Sequence, residues 1–343
     1  MCKSLAVTLS ILSLCSCISQ GELDELTFSE IIEIEAELIS TESPVMGYPL
    51  DMFVTDSIIG VLCSMNMNWV HCYDKETGIY LSGDVAYGRG PGELLSCTNM
   101  RYDRSSKRLY LFDNVNEKML VYKVSDGSPY IEYVAEVSFA DISGTVFLKM
   151  WPISDSLVLA NVQCGSMEDS VTRFQMFTMN GRLLDTCSDM PALEGDDRYT
   201  FLHSSMTMSP DGQRFASATL FGEILEIYDV SHESIERSVE NFFAYPAVEF
   251  REGVLWESEQ TVFGFPYICS DDNYIYASLI DGEDINAFNE IAVFDWNGRG
   301  VLRVITDYND LRMYPDGDHL YCIVSDSSNQ LFYARYDISN VSL

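Results

Sequence analysis

The sequence predicts an all-β protein folded as a six-bladed β-propeller, and three observations support this prediction. A unit of roughly 50 residues recurs six times after residue 50. Each unit alternates apolar strands with polar turns, and no segment has the spacing of an amphipathic helix of a dozen residues. Hydrophobic side chains make up 47% of the 343 residues, which is enough for a large core and excludes disorder over the whole length. The units span Ser57–Val85, Lys107–Val137, Asp155–Cys187, Gln213–Val239, Asn273–Thr306 and Asp318–Val341.

The strands and turns within each unit have the composition of a propeller blade. The first strands are rich in β-branched and aromatic residues, which suit a pleated and half-buried surface. They begin at Ile58, Leu109, Leu157, Phe215, Ile275 and Leu320. Asn297-Gly298 favours a turn with positive φ, and Pro and Gly in Ser209–Gly212 favour a tight turn before the next strand. A repeat of this length with four short strands is typical of a propeller blade.

The segment Phe28–Ile39 is expected to close the ring. Helical spacing fits its Ile31, Ile34 and Leu38, whereas strict alternation fits residues 32–37. We favour a strand because the last unit is short by about one strand, and an N-terminal strand that completes it would remove open sheet edges.

The N-terminus has the pattern of a bacterial lipoprotein signal. Lys3 precedes an apolar run that is shorter than the roughly 20 residues a membrane-spanning helix needs. Leu14-Cys15-Ser16-Cys17 resembles a lipobox, which implies cleavage after residue 16 and lipidation of Cys17. We therefore expect a signal peptide over 1–16, a lipidated tether over 17–26 and a single propeller domain over 27–343. An ordinary signal peptide with incidental cysteines is the alternative.

Composition excludes one class of partner. Acidic side chains outnumber basic ones by 53 to 20, so the formal charge is −33. Nucleic acid requires a basic face, and this sequence offers none. Anionic polysaccharides are repelled as well, unless a local basic pocket exists.

Seven cysteines remain after the signal and Cys17 are set aside, and their odd number and irregular spacing argue against a disulfide framework. Cys63 and Cys72 face each other in a predicted hairpin. They are either a pair or, as we favour, small apolar strand residues. No CxxC motif occurs and the four histidines are far apart in sequence, so we expect no metal site and no cofactor.

The most specific string of the chain is Gly88-Arg89-Gly90-Pro91-Gly92-Glu93. It resembles the G-x-G-P-G-E motif of TolB-like six-bladed β-propeller lipoproteins of gut-dwelling Gram-negative bacteria. The lipobox and the repeat length agree with that family. The resemblance implies a propeller fold, an outer-membrane lipoprotein that is periplasmic or surface-exposed, and a binding role. It supplies no catalytic residues.

Four residues are candidates for ligand binding, namely Arg89, Glu93, Arg101 and Arg104. The arginines lie close together in sequence with Lys107 and Arg108 and form the nearest thing to a basic patch. The alternative is structural: the loop with Arg89 and Glu93 shapes a connection between blades, Glu93 binds backbone amides, and the other cations are ordinary solvated surface residues.

Further candidates have equally simple structural explanations. Acidic stretches at 271–273, 281–286 and 316–318 have oxygen ligands suited to Ca²⁺, but acidic turns are expected at this net charge. Aromatic residues either line a binding face or fill the packing between blades. They are Trp69, Tyr87, Trp151, Trp256, Phe265 and Tyr267.

Two functional hypotheses follow. The first is a lipid-anchored, monomeric binding or scaffold module of the cell envelope, with a protein, peptide or glycan bound at one face and membrane contact through the lipid only. The second is a hydrolase or lyase with its site in the central funnel, assisted by metal or carboxylates. The sequence lacks the GxSxG and HExxH motifs, so the first is favoured.

Overall fold

The protein is a six-bladed β-propeller. The computed structural model describes residues 23–40, 47–64, 67–97, 99–140, 142, 145–164, 173–187, 193, 195–251, 254–280 and 288–339. The predicted signal peptide and Cys17 lie outside the described residues.

Each blade is an antiparallel sheet whose strands follow one another in sequence, with the first strand innermost. Two strands precede the blades, β1 (Glu30–Ile34) and β2 (Glu37–Leu38). Blade one contains β3 (Tyr48–Val54), β4 (Ile58–Ser64), β5 (Asn68–Asp74) and β6 (Tyr80–Ala86). Blade two contains β7 (Met100–Asp103), β8 (Arg108–Asp113), β9 (Lys118–Val124) and β10 (Ile131–Ser138). Blade three contains β11 (Thr145–Pro152), β12 (Leu157–Cys164), β13 (Phe174–Thr178) and β14 (Leu183–Cys187).

The second half of the chain adds insertions between the blades. A 3-10 helix (Gly195–His203) precedes blade four, which contains β15 (Ser204–Met208), β16 (Arg214–Thr219), β17 (Glu223–Val230) and β18 (Ile235–Ala244). A hairpin of β19 (Glu249–Arg251) and β20 (Val254–Trp256) follows. Blade five contains β21 (Ile268–Ser270), β22 (Tyr274–Leu279), β23 (Glu290–Asp295) and β24 (Gly300–Thr306). Blade six contains β25 (Asn309–Asp316), β26 (His319–Ser325) and β27 (Leu331–Asp337).

The repeat predicted from sequence begins one strand too late in every blade. The predicted first strands are β4, β8, β12, β16, β22 and β26, which are second from the axis. An innermost strand precedes each of them. Two of these, Met100–Asp103 and Ile268–Ser270, are very short, and their polar residues hide the apolar alternation that marks the other strands.

The N-terminal segment closes the ring as expected, but it does so on two blades. β2 pairs antiparallel with β27 and supplies the missing fourth strand of blade six. β1 instead runs parallel to β24 and becomes a fifth strand of blade five. The prediction that an N-terminal strand from this segment completes the last blade is confirmed by β2, and the pairing of β1 with blade five is an addition that the sequence did not predict. The amide of Ala36 bonds to Asp307 Oδ1 at 3.0 Å, between blades five and six, and thereby directs the chain from one blade to the next.

Strand direction alternates within each blade, so the propeller has two different faces. One face, here called the turn face, carries the connections from first to second and from third to fourth strand. The predicted turns Ser209–Gly212 and Asn297-Gly298 lie there, and Gly298 has φ 76°. The opposite face, here called the loop face, carries the connections between blades, including the 3-10 helix and the β19–β20 hairpin.

Candidate functional site

The six innermost strands surround a central channel with a volume of about 940 Å³. This volume lies in the range of small-molecule sites. Each blade contributes at least one polar or charged side chain to the wall. Four cationic residues line it. Arg104 pairs with Asp316, and the other three are Arg101 from β7, Lys149 from β11 and Arg312 from β25.

The last three of these cations donate hydrogen bonds to backbone carbonyls and not to carboxylates. Lys149 Nζ donates to the carbonyl of Ser204 at 2.9 Å, and Arg312 Nε donates to the carbonyl of Leu50 at 2.6 Å. Arg101 contacts Met208 Sδ, and its Nη2 lies 3.2 Å from the carbonyl oxygen of Pro210. Within the described part of the chain none of the three cations forms an ion pair.

One carboxylate, Asp51 of β3, faces Lys149 and Arg312. Its Oδ1 accepts hydrogen bonds from the Tyr267 hydroxyl and the Met52 amide, both at 2.8 Å. The Arg312 guanidinium lies 5.1 Å from the centroid of the Tyr267 ring. We call Asp51, Lys149, Tyr267 and Arg312 the channel cluster. Because Tyr267 and the carbonyl partners of Lys149 and Arg312 lie near the beginnings of innermost strands, the cluster is nearer the loop face.

Burial in the channel wall perturbs two ionisable groups of the cluster. Burial, together with the positive charge of Arg312 and against the negative charge of Asp51, lowers the pKa of Lys149 to about 8. Burial also raises the pKa of the Asp51 carboxyl, against the hydrogen bond from Tyr267. The channel cluster therefore holds two cations and one carboxylate in a poorly solvated part of the channel wall.

The structure places the four sequence-predicted ligand residues in three different environments. Arg101 lines the channel, and Arg104 lies at its turn-face mouth, where it pairs with Asp316. Lys75 Nζ also contacts Asp316, at 2.7 Å. Arg89 is exposed in the connection from blade one to blade two, on the loop face and outside the channel.

The fourth residue, Glu93, stabilises its own loop. Its Oε2 accepts the Gly90 amide at 2.7 Å, and a Cβ on Gly88 would lie 2.0 Å from the same oxygen. Glycine at position 88 therefore makes room for the carboxylate. The geometry supports the structural alternative that the sequence left open for Glu93.

The apparent basic patch of the sequence is divided among separate ion pairs. Lys107 pairs with Asp126 and Arg108 with Asp155, both at 3.0 Å. The carboxylates of acidic turns also have local partners. Asp271 Oδ1, for example, accepts the backbone amides of Asn273 and Tyr274. Within the described residues no three His, Cys, Asp or Glu side chains converge on one point. The acidic stretch 281–286 lies outside the described residues.

Sequence analysis missed Asp51, Lys149 and Arg312, because each lies in a different blade and belongs to no local motif. One signal was present. Lys149 is the single charged residue in the otherwise apolar strand Thr145–Pro152. A lone lysine in a buried strand is rarely tolerated without a specific environment.

Half of the fourteen exposed large apolar side chains among the described residues lie on the loop face. These seven occupy connections between strands or the beginnings of innermost strands: Tyr48, Met67, Tyr87, Val115, Val146, Val254 and Trp256. Of the six aromatic residues considered from sequence, Tyr87 and Trp256 are exposed, Tyr267 belongs to the channel cluster, and Phe265 is fully buried. Trp151 is largely buried beside the channel, and Trp69 donates to the carbonyl of Leu94 at 3.0 Å.

A family model described as TolB-like 6-blade propeller-like matches residues 27–311. The chain belongs to this family. The resemblance inferred from the loop at 88–93 is thereby confirmed. A search of curated proteins finds no match to the chain.

Solved structures similar to this TolB-like propeller include two proteins from Bacteroides. A Bacteroides fragilis protein presumed to be exported has a TM-score of 0.54 and 13% identity, covering 89% of this chain and 98% of its own. A member of the DUF4221 family from Bacteroides vulgatus has a TM-score of 0.52 and 10% identity, covering 88% and 95%. The calcium-binding protein regucalcin from Agrobacterium tumefaciens has a TM-score of 0.50 and 9% identity, covering 90% and 97%. At these identities the similarities show the fold alone.

The described residues show two further features of this TolB-like propeller. No helix formed by the described residues is long and apolar enough to cross a bilayer. The described cysteines Cys63, Cys72, Cys97, Cys187, Cys269 and Cys322 are buried and free. The first two are therefore apolar strand residues and not a pair.

Proposed function

We propose that this protein is a binding module of the cell envelope that engages a partner polypeptide with its loop face. The observation that supports this proposal is the set of exposed Tyr, Trp, Met and Val side chains that several connections contribute to that face. Tyr, Trp and Met are enriched in protein interfaces, and exposed apolar patches on a soluble protein mark interaction sites.

The mixture of side chains favours a polypeptide over the other two partner classes. Sugars stack on aromatic rings, for which Tyr87 and Trp256 would suffice. Val115, Val146 and Val254 offer aliphatic surface that suits apolar side chains of a protein. A flexible peptide would also lose more conformational entropy on this broad surface than a folded partner.

We further propose that residues 1–16 are removed, that Cys17 is lipidated and that the protein is an outer-membrane lipoprotein. The described chain begins beside blade four, where the amide of Asp24 bonds to the carbonyl of Phe242 at 2.7 Å. Phe242 lies near the loop-face end of β18. The seven residues from Cys17 to Asp24 span at most about 25 Å, so the loop face would be held close to the membrane. This placement suits a partner embedded in, or attached to, the same membrane.

Site-specific photocrosslinking tests the proposal. A photoreactive residue replaces Trp256 or Tyr87 on the loop face, in the full-length protein and in the cells that produce it. Ile79 is the matched control, because its side chain is 63% exposed and lies on the turn face. We expect a discrete polypeptide adduct from the two loop-face positions and none from position 79. Equal crosslinking from both faces would contradict the proposal. An adduct that contains only carbohydrate would mean that the partner is a glycan and not a polypeptide.

The hydrolase or lyase hypothesis gains no specific support from the described residues. The channel wall includes the carboxylates of Asp51, Asp103, Asp271 and Asp272, and Asp271 accepts two backbone amides of its own turn. Asp103 at the turn-face mouth accepts hydrogen bonds from Ser105 and Ser106 and caps a turn.

A further inference from the structure

We propose that the channel cluster binds a small hydroxylated monocarboxylate, such as a sugar acid, whose carboxylate pairs with Lys149 and Arg312. This inference goes beyond the proposed function, since it concerns a small ligand inside the channel and not a polypeptide on the loop face. Either one can fail while the other holds.

Lys149 and Arg312 form no ion pair within the described residues, although the chain is strongly acidic. With 53 acidic and 20 basic residues, carboxylates are abundant, and the cations at the turn face find them. In the described part of the chain, Lys149 and Arg312 have only carbonyl oxygens as acceptors. Asp51 faces both cations but can balance only one of the two positive charges, so the arrangement suits a second anion that enters from solution.

Several N–H donors of Lys149 and Arg312 are unused within the described residues. An ammonium has three N–H donors and a guanidinium has five. Lys149 uses one of its donors on Ser204. Arg312 uses Nε and Nη1 on the carbonyls of Leu50 and Leu311, and its Nη2 has no partner among the described residues. These free N–H groups border the channel, where they can meet a carboxylate.

The net charge of the cluster and the free oxygen of Asp51 indicate the charge of the ligand and its second polar group. Asp51 brings the cluster to a net charge of about +1 when all three groups are ionised, which matches a monoanion better than a phosphate dianion. Asp51 Oδ1 is occupied by Tyr267 and Met52, whereas Oδ2 has no hydrogen-bond partner within the described residues. A ligand hydroxyl would satisfy Oδ2, as hydroxyls do at buried carboxylates. A channel of about 940 Å³ has room for a molecule of one to a few sugar rings.

Proton linkage gives the site a property that an ordinary surface lysine lacks. Burial lowers the pKa of Lys149 to about 8, with Asp51 and Arg312 as the charged groups that face it. A bound carboxylate stabilises the ammonium and raises that pKa. Binding must then take up protons near pH 8, and affinity must fall as pH rises above 8.

Calorimetric titration of the full-length protein in detergent tests the inference. The ligands are D-glucuronate, D-galacturonate and D-gluconate, with D-glucose as the neutral analogue and glucose 6-phosphate as the dianion. We expect at least one sugar acid to bind, glucose to bind at least tenfold more weakly, and the affinity for the acid to fall about tenfold between pH 7 and pH 9.

Variants separate the site from general effects. Lys149→Met should weaken binding of the acid at least tenfold and abolish its pH dependence near 8, whereas Lys149→Arg should retain binding without that dependence. Lys123→Met is the matched control, because Lys123 is an exposed strand lysine. Asp51→Asn, which keeps the shape of the site, should shift preference from glucuronate towards glucose 6-phosphate. Binding that is equal for acid and glucose, unaffected by Lys149→Met, or absent for all three acids with the wild-type protein folded would overturn the inference.

Discussion

Arg335 of the last strand binds both carboxylate oxygens of Glu37, at 2.9 and 2.8 Å, although 298 residues separate them. The same guanidinium reaches Glu76 of blade one at 3.2 Å. One side chain therefore joins the N-terminal strand, the last blade and the first blade at the place where the ring closes. The Glu37 side chain is 65% exposed and that of Arg335 is 21% exposed, so solvent screens the pair, and it selects the strand pairing more than it stabilises it.

Removal of residues 1–39 should destabilise the propeller and make it associate. This deletion takes away β1 and β2, exposes the edges of blades five and six, and uncovers the apolar surface that Ile32, Ile34 and Leu38 protect. A deletion of residues 1–22 is the matched control. We expect a lower Tm and larger species in size-exclusion chromatography for the longer deletion only. Equal Tm values for the two proteins would show that the N-terminal strands do not close the ring.

The buried pair between blades three and four should matter more than the exposed pair at the closure. Glu226 accepts Arg173 through both oxygens, at 2.9 and 2.6 Å, and both side chains are almost fully buried. Glu226 also accepts from Arg237 at 3.1 Å, so Glu226→Gln removes the carboxylate that both arginines contact and should cost about 3–5 kcal/mol in the free energy of unfolding. Glu37→Gln should cost less than about 1 kcal/mol. Urea denaturation measures both, and similar costs would refute this ranking.

Asp310 should make stability depend on pH. Burial raises the pKa of this carboxyl to about 7, against the hydrogen bond that Thr306 Oγ1 donates to its Oδ2 at 2.7 Å. The folded protein then retains a proton that the unfolded chain loses near pH 4. The contribution of Asp310 to the free energy of unfolding therefore falls as pH rises from about 4 to 7, by up to about 1.4 kcal/mol per unit.

The Asp310→Asn variant isolates this effect, because an amide has no proton to lose and still accepts from Thr306. Subtracting the variant's free energy of unfolding from that of the wild type, at each pH, removes the titration of the other carboxyls. We expect this difference to decrease from pH 4.5 to pH 8. A difference that stays constant would mean that Asp310 is ionised throughout.

A double-mutant cycle tests the role of Glu93 in its glycine-rich loop. Gly88→Ala should displace the Glu93 carboxylate from the Gly90 amide and cost about 1 kcal/mol, the usual value of such a hydrogen bond. In a Glu93→Ala background the same change should cost almost nothing. Gly127→Ala is the control, since a Cβ there meets no atom within 4 Å. Additive costs would show that residues 88 and 93 do not interact.

The sequence predicted the six blades because their second and third strands are buried on both faces and are therefore continuously apolar. The innermost strands escaped notice because their polar residues, such as Arg101 and Arg312, face the channel. Closure on two blades was equally hidden, since alternation in residues 32–37 fits either sheet. The choice depends on contacts such as Ala36 with Asp307, which no local pattern encodes.

The candidate site was less predictable than the fold for the same physical reason. A propeller brings residues from distant blades to its axis, so Asp51, Lys149 and Arg312 converge without any sequence motif. Proximity in sequence was a poor guide in the other direction. Arg101, Arg104, Lys107 and Arg108 are neighbours in the chain, yet only the first two border the channel, and all except Arg101 pair with carboxylates on the turn face.

The ionisation of Lys149 is the most direct test of the view that the channel keeps its cations without a carboxylate partner. NMR of isotopically labelled lysine side chains, with Lys149→Arg to assign the signal, gives its pKa in the ligand-free protein. The structure predicts a pKa of about 8 for Lys149, well below the ordinary value for lysine. A pKa above 10 would mean that Lys149 is either well solvated or paired with a carboxylate, and it would contradict this account of the channel.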